Sequence, residues 1–584
     1  MSAGSAAGIC RTEISSDQGY PTMKGLKRPV CMALCTLLAI ALPMSGCKKK
    51  KSADEALKDL PVTGEYVSGK ALRVPLIAWG ADLVTIYANG MSPKTLKGSL
   101  FDRQGISVDL FREDNFIKQT EMYRRGEIVF LRGTMGMINM SAELLSSEPG
   151  MRPVLIYQHS WSAGGDALVV KPGISSVKDL KGKTVVIQKN GPHVDYFLKL
   201  LKDAGLSYGD VKTVWTKDLV GPQGDTPMAS LHRSDVDAAF VIIPDALSLT
   251  SQGKVGTGAE DSVKGARILL STKTASRIIS DVYAVRKDFF DKNRETVKKF
   301  VKALLTAEET LRDMFKRKSG KEYKPLLQVD GALLLDDQNA VSGVEGMYFD
   351  AEMAGFNGNV KFFADNDYPR NYQALSKEIQ ESLIAMGTMK GQVPILAAGW
   401  DYNEMRTGLR YADAVAVSRF DPAKTIKVAE RLSGGDKTLF AFEIHFGPNQ
   451  DSFPVSQYKK EFDRVIGFAS TYGGALITVE GHSDPMSYLR KKNQGAGEVV
   501  LKRIKQAAKN LSYNRAQSVR NEIIKYARKR NVNIDQNQLT IIGHGINAPK
   551  FRIPKTSDEW RQNMRVQFKI MQVEAEEEVF RPLN

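Results

Sequence analysis

The chain has 584 residues with 42% apolar and 25% charged side chains, which is ordinary for a folded protein and long enough for several domains. It carries 82 Lys and Arg against 66 Asp and Glu, a net charge of +16. Zinc-finger spacing, RNA-recognition aromatic motifs and helix-turn-helix patterns are missing from the sequence, so nucleic acid is set aside in favour of an anionic membrane surface or polymer. All four cysteines, Cys10, Cys31, Cys35 and Cys47, lie near the N-terminus. That excludes a disulfide framework, a cysteine-ligated metal and a cysteine nucleophile in everything after Cys47.

In chain order, Met23-Lys24-Gly25-Leu26-Lys27-Arg28 reads as a positive n-region, with translation expected to start at Met23. Val30 to Leu42 is apolar except for Thr36. The run is shorter than the ~20 residues a membrane span needs and fits a signal-peptide core. Met44-Ser45-Gly46-Cys47 then resembles the lipobox of bacterial lipoproteins. By that resemblance residues 1–46 are leader and signal peptide, Cys47 carries lipid, and the protein is periplasmic and held to a membrane by its N-terminal lipid. Lys48 stands where lipoproteins retained in the inner membrane commonly carry Asp, which points to the outer membrane. Residues 47–70 read as a tether whose lysines, Lys48 to Lys51, either lie against anionic head groups or are simply solvated.

From 71 to 389 short β-rich runs alternate with helical patterns. Leu72–Ile77, Ile106–Phe111, Val154–Tyr157, Thr184–Gln188 and Ala238–Ile243 are expected strands. Tyr196–Ala204, Arg294–Met314 and Tyr372–Met386 are expected helices; the second puts Val297, Phe300, Val301, Leu304 and Leu305 on one face. The alternation predicts an α/β domain with largely parallel sheets. Residues 390–437 read as a linker, with a helix at Thr425–Leu432. A second domain, 438–575, reads βαβαββ: strands at Phe440–Phe446, Ala475–Glu480, Leu539–Ile542 and Arg565–Ile570, one helix through Phe462 and Val465, and another starting at Ser512, a good N-cap. Residues 576–584 are a tail.

Gly481-His482-Ser483-Asp484 at a strand end, Leu511-Ser512-Tyr513-Asn514-Arg515-Ala516, Gly543-His544-Gly545 and Asn563-Met564-Arg565-Val566 follow in the order of OmpA-like peptidoglycan-binding domains. The resemblance implies an α+β sandwich that binds diaminopimelate-containing peptidoglycan. Asp484 would meet the ammonium, and Arg515, in the first turn of its helix, would hold a carboxylate. Ser512 would cap that helix, with Asn563 and Arg565 in support. His482 reads as a structural turn partner. Pro485 to Asn510 is longer than the family's usual connection and basic, through Lys491, Lys492, Lys502, Arg503, Lys505 and Lys509. It is expected to reshape the pocket or to grip an anionic mesh, with Glu498–Ala508 adding a helix.

In the larger domain, Ile174 to Thr184, Gly191-Pro192, Asp235 to Ala239, Asp281 to Phe289 and Ala354 to Asn359 resemble periplasmic substrate-binding proteins of the nitrate/sulfonate/taurine type. That implies two lobes closing on a small-molecule solute and delivery to an ABC permease. Loops at strand C-termini and helix N-termini should line the cleft. These supply Trp79 and Asp82, Thr134, then Trp161, Ser162, Gly164 and Asp166 between the lobes, and Gly191 and His193. The tryptophans suit either stacking on a planar or cationic ligand or ordinary packing. Ser162 with N–H groups near Gly164 and Gly191 suits an oxyanion; Asp82 or Asp166 suits an amine. No cofactor or metal is expected, and the six histidines lack metal-ligand spacing. With no G-x-S-x-G elbow or phosphate loop, an enzyme is not expected. The competing reading is a structural or sensory envelope protein that recognises a partner or signal.

Overall fold

The structure, a computed structural model, describes residues 71–414, 418–432 and 438–571. The expected signal peptide, Cys47, the expected tether and the expected tail lie outside the described residues. Among those described, no helix is long and apolar enough to cross a membrane.

The larger part carries β1 (Leu72–Leu76), β2 (Val108–Arg112), β3 (Phe130–Thr134), β4 (Pro153–Ser162), β5 (Asp166–Val170), β6 (Thr184–Gln188), β7 (Lys212–Thr216), β8 (Ala238–Ile242), β9 (Arg267–Ser271), β10 (Ser280–Arg286), β11 (Ala351–Met353) and β12 (Leu396–Ala397). One lobe holds the parallel pair β1-β2 and a sheet ordered β11-β4-β10-β3, with β12 beside β4. The other holds β7-β6-β8-β5-β9. The chain crosses between lobes at Ala163–Gly165 and returns through Thr272–Ile279.

The sheets are mixed, not largely parallel. β6 runs parallel to β7 and β8, but β5 is antiparallel to β8 and β9, and β10 is antiparallel to β3 and β4. The crossings are the reason: β5 enters its lobe and β9 leaves it from the same side, so the two must run in opposite directions. Local patterns did set the elements. Thr184-Val185-Val186-Ile187 is β-branched and buried at its centre. The helix Val194–Ala204 buries Val194, Phe197, Leu198, Leu200 and Leu201, and stops at Gly205, whose φ of +75° closes it left-handed. The long helix Lys287–Arg317 buries all five residues of its expected face.

The stretch read as a linker carries structure. β12 pairs with β4, the buried Trp400 donates from Nε1 to the Ile156 carbonyl at 2.8 Å, and the Glu309 carboxylate accepts from the backbone N–H of Arg410 and Tyr411. Beyond the described break the helix Pro422–Leu432 packs Val428 and Ala429 on Leu476 and Met571 of the second sheet. Isolated anchors such as Trp400, Met405 and Phe420 bury the segment without a periodic pattern.

The C-terminal part has β13 (Thr438–His445), β14 (Leu476–His482), β15 (Leu539–Gly545) and β16 (Arg565–Met571), ordered β13-β16-β14-β15. The element order is βαβααβαβ rather than βαβαββ. A short helix, Ser557–Asn563, capped by Thr556, precedes β16. The expected helix start at Ser512 is wrong: one helix runs unbroken over Glu498–Lys529 behind Gly497. Neither Gly nor Pro interrupts it, so a good cap residue at Ser512 ends nothing.

The two parts touch. The Tyr472 hydroxyl donates to Asp203 Oδ2 at 2.7 Å. The Arg277 N–H donates to the Thr471 carbonyl, and the Gly474 N–H to the Thr274 carbonyl, both at 3.1 Å. The C-terminal part therefore sits on the returning crossover.

Candidate functional site

The first crossover gathers a buried polar cluster. The Ser162 hydroxyl donates to Asp166 Oδ2 at 2.6 Å, and His193 Nε2 lies 2.7 Å from Asp166 Oδ1. The Thr272 hydroxyl on the returning crossover accepts from the N–H groups of Gly164 and Asp166 at 3.1 Å each. The returning crossover is thus tied to the backbone of the first at Gly164 and Asp166. Gly164 has φ +156°, and a Cβ there would stand 2.5 Å from Asp350 Oδ1, so only glycine fits. The Trp79 ring lies against Gly165, and its Nε1 donates to Ser160 Oγ at 3.1 Å.

Carboxyl groups dominate the surroundings. Burial, with Asp166 beside it, pushes Asp350 up to about 6. Burial raises Asp245 as well. Burial pushes Asp195 up to about 8, against hydrogen bonding from the Tyr196 N–H and the charge of Arg370. The Asp195 carboxyl faces Gly136 across the lobes, with its Cγ 2.7 Å from where a Cβ would lie, and its Oδ2 has no hydrogen-bond partner. Asp195 opens the helix that follows Gly191-Pro192-His193, a signal the sequence held. Asp350 and Thr272 are far away in the chain, and nothing local marked them.

Other expected residues have different work. Asp82 does not face the cleft as a free carboxylate: Arg132 donates to it at 2.7 Å and to Asp281 at 3.0 Å, all three buried. Burial pushes Asp82 up to about 6 against the pull of Arg132, low enough for a charged pair at neutral pH. The Thr134 hydroxyl caps the helix Met135–Leu145 by accepting from the Met137 N–H. Trp161 is buried, edge-on to Phe362, with the Arg277 guanidinium over its ring. Gly191 relieves a turn in which a Cβ would meet Gln188 Oε1.

In the C-terminal part, Asp484 Oδ1 accepts from the Met486 N–H at 2.9 Å, and Oδ2 accepts from Asn563 Nδ2 at 3.1 Å. Asn563 also bonds both backbone groups of Phe551. Arg515 lies mid-helix, not in a first turn, so no helix N-terminus stands beside it. Its guanidinium is buried and donates to the carbonyls of Gln450, His482 and Gly447. That uses three of its five N–H groups. Ser512 accepts from the Gly545 N–H and donates to the Lys509 carbonyl, so it ties helix to strand rather than capping. Arg565 pairs with Glu443 at 3.2 Å.

Glu480, His482 and His544 lie close enough to suggest a metal. Glu480 is already served by Lys569 at 2.8 Å and His544 at 3.1 Å. Burial would raise its carboxyl, but those hydrogen bonds outweigh it and hold Glu480 at about 2. Burial and the charge of Arg565 push His482 down to about 3. The Lys569 ammonium fills the place of a bound cation.

Comparisons with known proteins concern the larger part. Residues 97–313 match the family model described as NMT1/THI5 like. A taurine-binding periplasmic protein of Escherichia coli (strain K12) is 34% identical over 145 residues, 25% of this chain and 40% of that protein. The match therefore spans well under half of that relative. Among solved structures, the aliphatic sulphonate binding protein SsuA of Escherichia coli is similar at TM-score 0.39 and 16% identity, over 56% of this chain and 91% of that one. The nitrate-binding protein NrtA of Synechocystis PCC 6803 gives 0.39 and 14% over 59% and 91%. The desulfurization enzyme DSZB gives 0.36 and 16% over 59% and 98%. This chain carries an NMT1/THI5-like domain.

Proposed function

We propose that the chain is an envelope lipoprotein that binds a small amine-bearing solute between its lobes, hands it to an ABC-type permease, and holds peptidoglycan through its C-terminal part. The observation that carries the solute reading is Asp166, oriented by Ser162 and His193 where the chain crosses between lobes. A carboxylate so placed, with Asp350 beside Gly164, favours an ammonium over a bare oxyanion. Taurine, which the Escherichia coli relative is named for binding, carries an ammonium beside its sulfonate. Trp79, whose ring lies against Gly165, would supply an aromatic contact beside this cluster.

The test is a thermal-shift panel of taurine, other amines, sulfonates and nitrate on the purified chain. A ligand at 100 times its Kd stabilises by about 2.7 kcal/mol. We expect an amine-bearing compound to raise Tm and Asp166→Ala to abolish the rise. No stabiliser, or stabilisation by nitrate alone, would refute the reading.

For the anchor, support comes from Asp484, half-buried and held by the Met486 N–H and Asn563. Asp484→Ala should abolish co-sedimentation with purified peptidoglycan. Retained binding would sink the assignment.

A further inference from the structure

The helix Glu498–Lys529 is longer than the sheet it covers. Its 32 residues span ~48 Å at 1.5 Å each, against ~23 Å for the seven residues of β15. The two run antiparallel: Arg520 donates to the Leu539 carbonyl at the strand's start, and Lys509 packs against Gly545 at its end. Close approach at Gly481, where a Cβ would meet the Ser512 carbonyl oxygen at 1.8 Å, fixes this register. The helix N-terminal to Lys509 therefore overhangs the strand end.

Beneath the overhang lies a groove of about 580 Å³, with Lys502, Arg503, Lys505 and Lys509 on the helix side and His544 and Asn547 opposite. From 485 to 510 the only acid is Glu498, and it pairs with Lys502 at 2.8 Å. Lys550, Arg552 and Lys555 follow along the chain beyond Asn547, with Lys550 paired to Glu443 at 3.2 Å. The groove adjoins the Asp484 turn, because the Ser483 hydroxyl donates to the Ala508 carbonyl at 3.0 Å.

We infer that this groove is a second anion subsite that takes peptide-stem carboxylates of the same peptidoglycan strand whose ammonium group meets Asp484. It rests on the peptidoglycan reading above. A flat phospholipid surface suits a concave groove poorly, whereas a peptide stem offers several carboxylates within reach of Asp484. Cations lining a concave wall concentrate such a polyanion, and the attraction is screened by salt.

The test is co-sedimentation of the full chain with purified sacculi at low and high ionic strength. It compares wild type, Asp484→Ala, and the combined variant K502Q/R503Q/K505Q/K509Q, whose substitutions keep a good helix former on an exposed face. Sacculi with chemically amidated carboxylates and vesicles of anionic phospholipid complete the set. We expect the combined variant to bind native sacculi at least about tenfold more weakly at low salt, with a flattened salt dependence. On amidated sacculi it should match wild type, and vesicle binding should not change. Undiminished binding to native sacculi, or a loss confined to vesicles, overturns the inference while Asp484-dependent binding keeps the anchor reading intact. Failure of wild type itself to pellet overturns both.

Discussion

Asp195 makes a quantitative test of the lobe interface. Its carboxyl is buried between the lobes, lies against Gly136, and leaves Oδ2 without a partner. Below pH ~3.8 the group is protonated whether the chain is folded or not, so it exerts no pH effect. Between that value and the folded value of about 8, the unfolded chain releases its proton while the folded chain keeps it. Stability therefore falls as pH rises through that window and levels off above it. The full shift corresponds to an upper bound on the order of 5 kcal/mol. Opening of the lobes hydrates the ionised carboxyl and relieves part of that cost, so the closed arrangement should weaken towards alkaline pH. Asp195→Asn replaces the carboxyl with a neutral side chain of the same shape. We expect it to gain at least ~1 kcal/mol over wild type at pH 8 relative to pH 4, or roughly 2–4 °C in Tm. The assay is thermal unfolding of both proteins across that pH range. Parallel curves would refute the argument, because they would mean that Asp195 titrates normally or is already hydrated.

Asp82→Ala leaves Arg132 buried with Asp281 alone and should cost about 3–5 kcal/mol in chemical denaturation, whereas a loss below 1 kcal/mol would show the pair to be dispensable. Glu480 is held at about 2, below its unfolded value. Its contribution is present above pH ~4.5 and lost as pH falls towards 2, at most about 3 kcal/mol. Glu480→Gln should flatten the acid limb of the stability profile; an unchanged limb counts against the Lys569 and His544 contacts. A Cβ at Gly474 would stand 1.7 Å from the Lys273 carbonyl oxygen. Gly474→Val should therefore separate the C-terminal part from the crossover, read as new protease sensitivity near Thr471–Ala475 and a larger radius in solution. An unaltered digestion pattern would mean that the contact is not formed in solution.

Much was legible in the sequence because it depends on short-range chemistry. β-branched runs gave β6, a one-sided apolar stripe gave the face of the helix Lys287–Arg317, and Gly-His-Ser-Asp marked the turn at Asp484. The sequence also held Asp166 and His193 as neighbours of helix and strand ends. Tertiary structure decided what each polar group does. Asp82 and Asp166 both follow strands or crossovers, yet one is spent on Arg132 and the other anchors the crossover cluster. Thr272 and Asp350 reach that cluster from far along the chain. Ser512 looked like a cap because cap preference is local, but an uninterrupted helix forms wherever packing on a sheet continues through such a residue. Composition and spacing determine which elements form and which charges are present; only the fold decides which partners each charge takes, a buried arginine for Asp82 and the crossover cluster for Asp166.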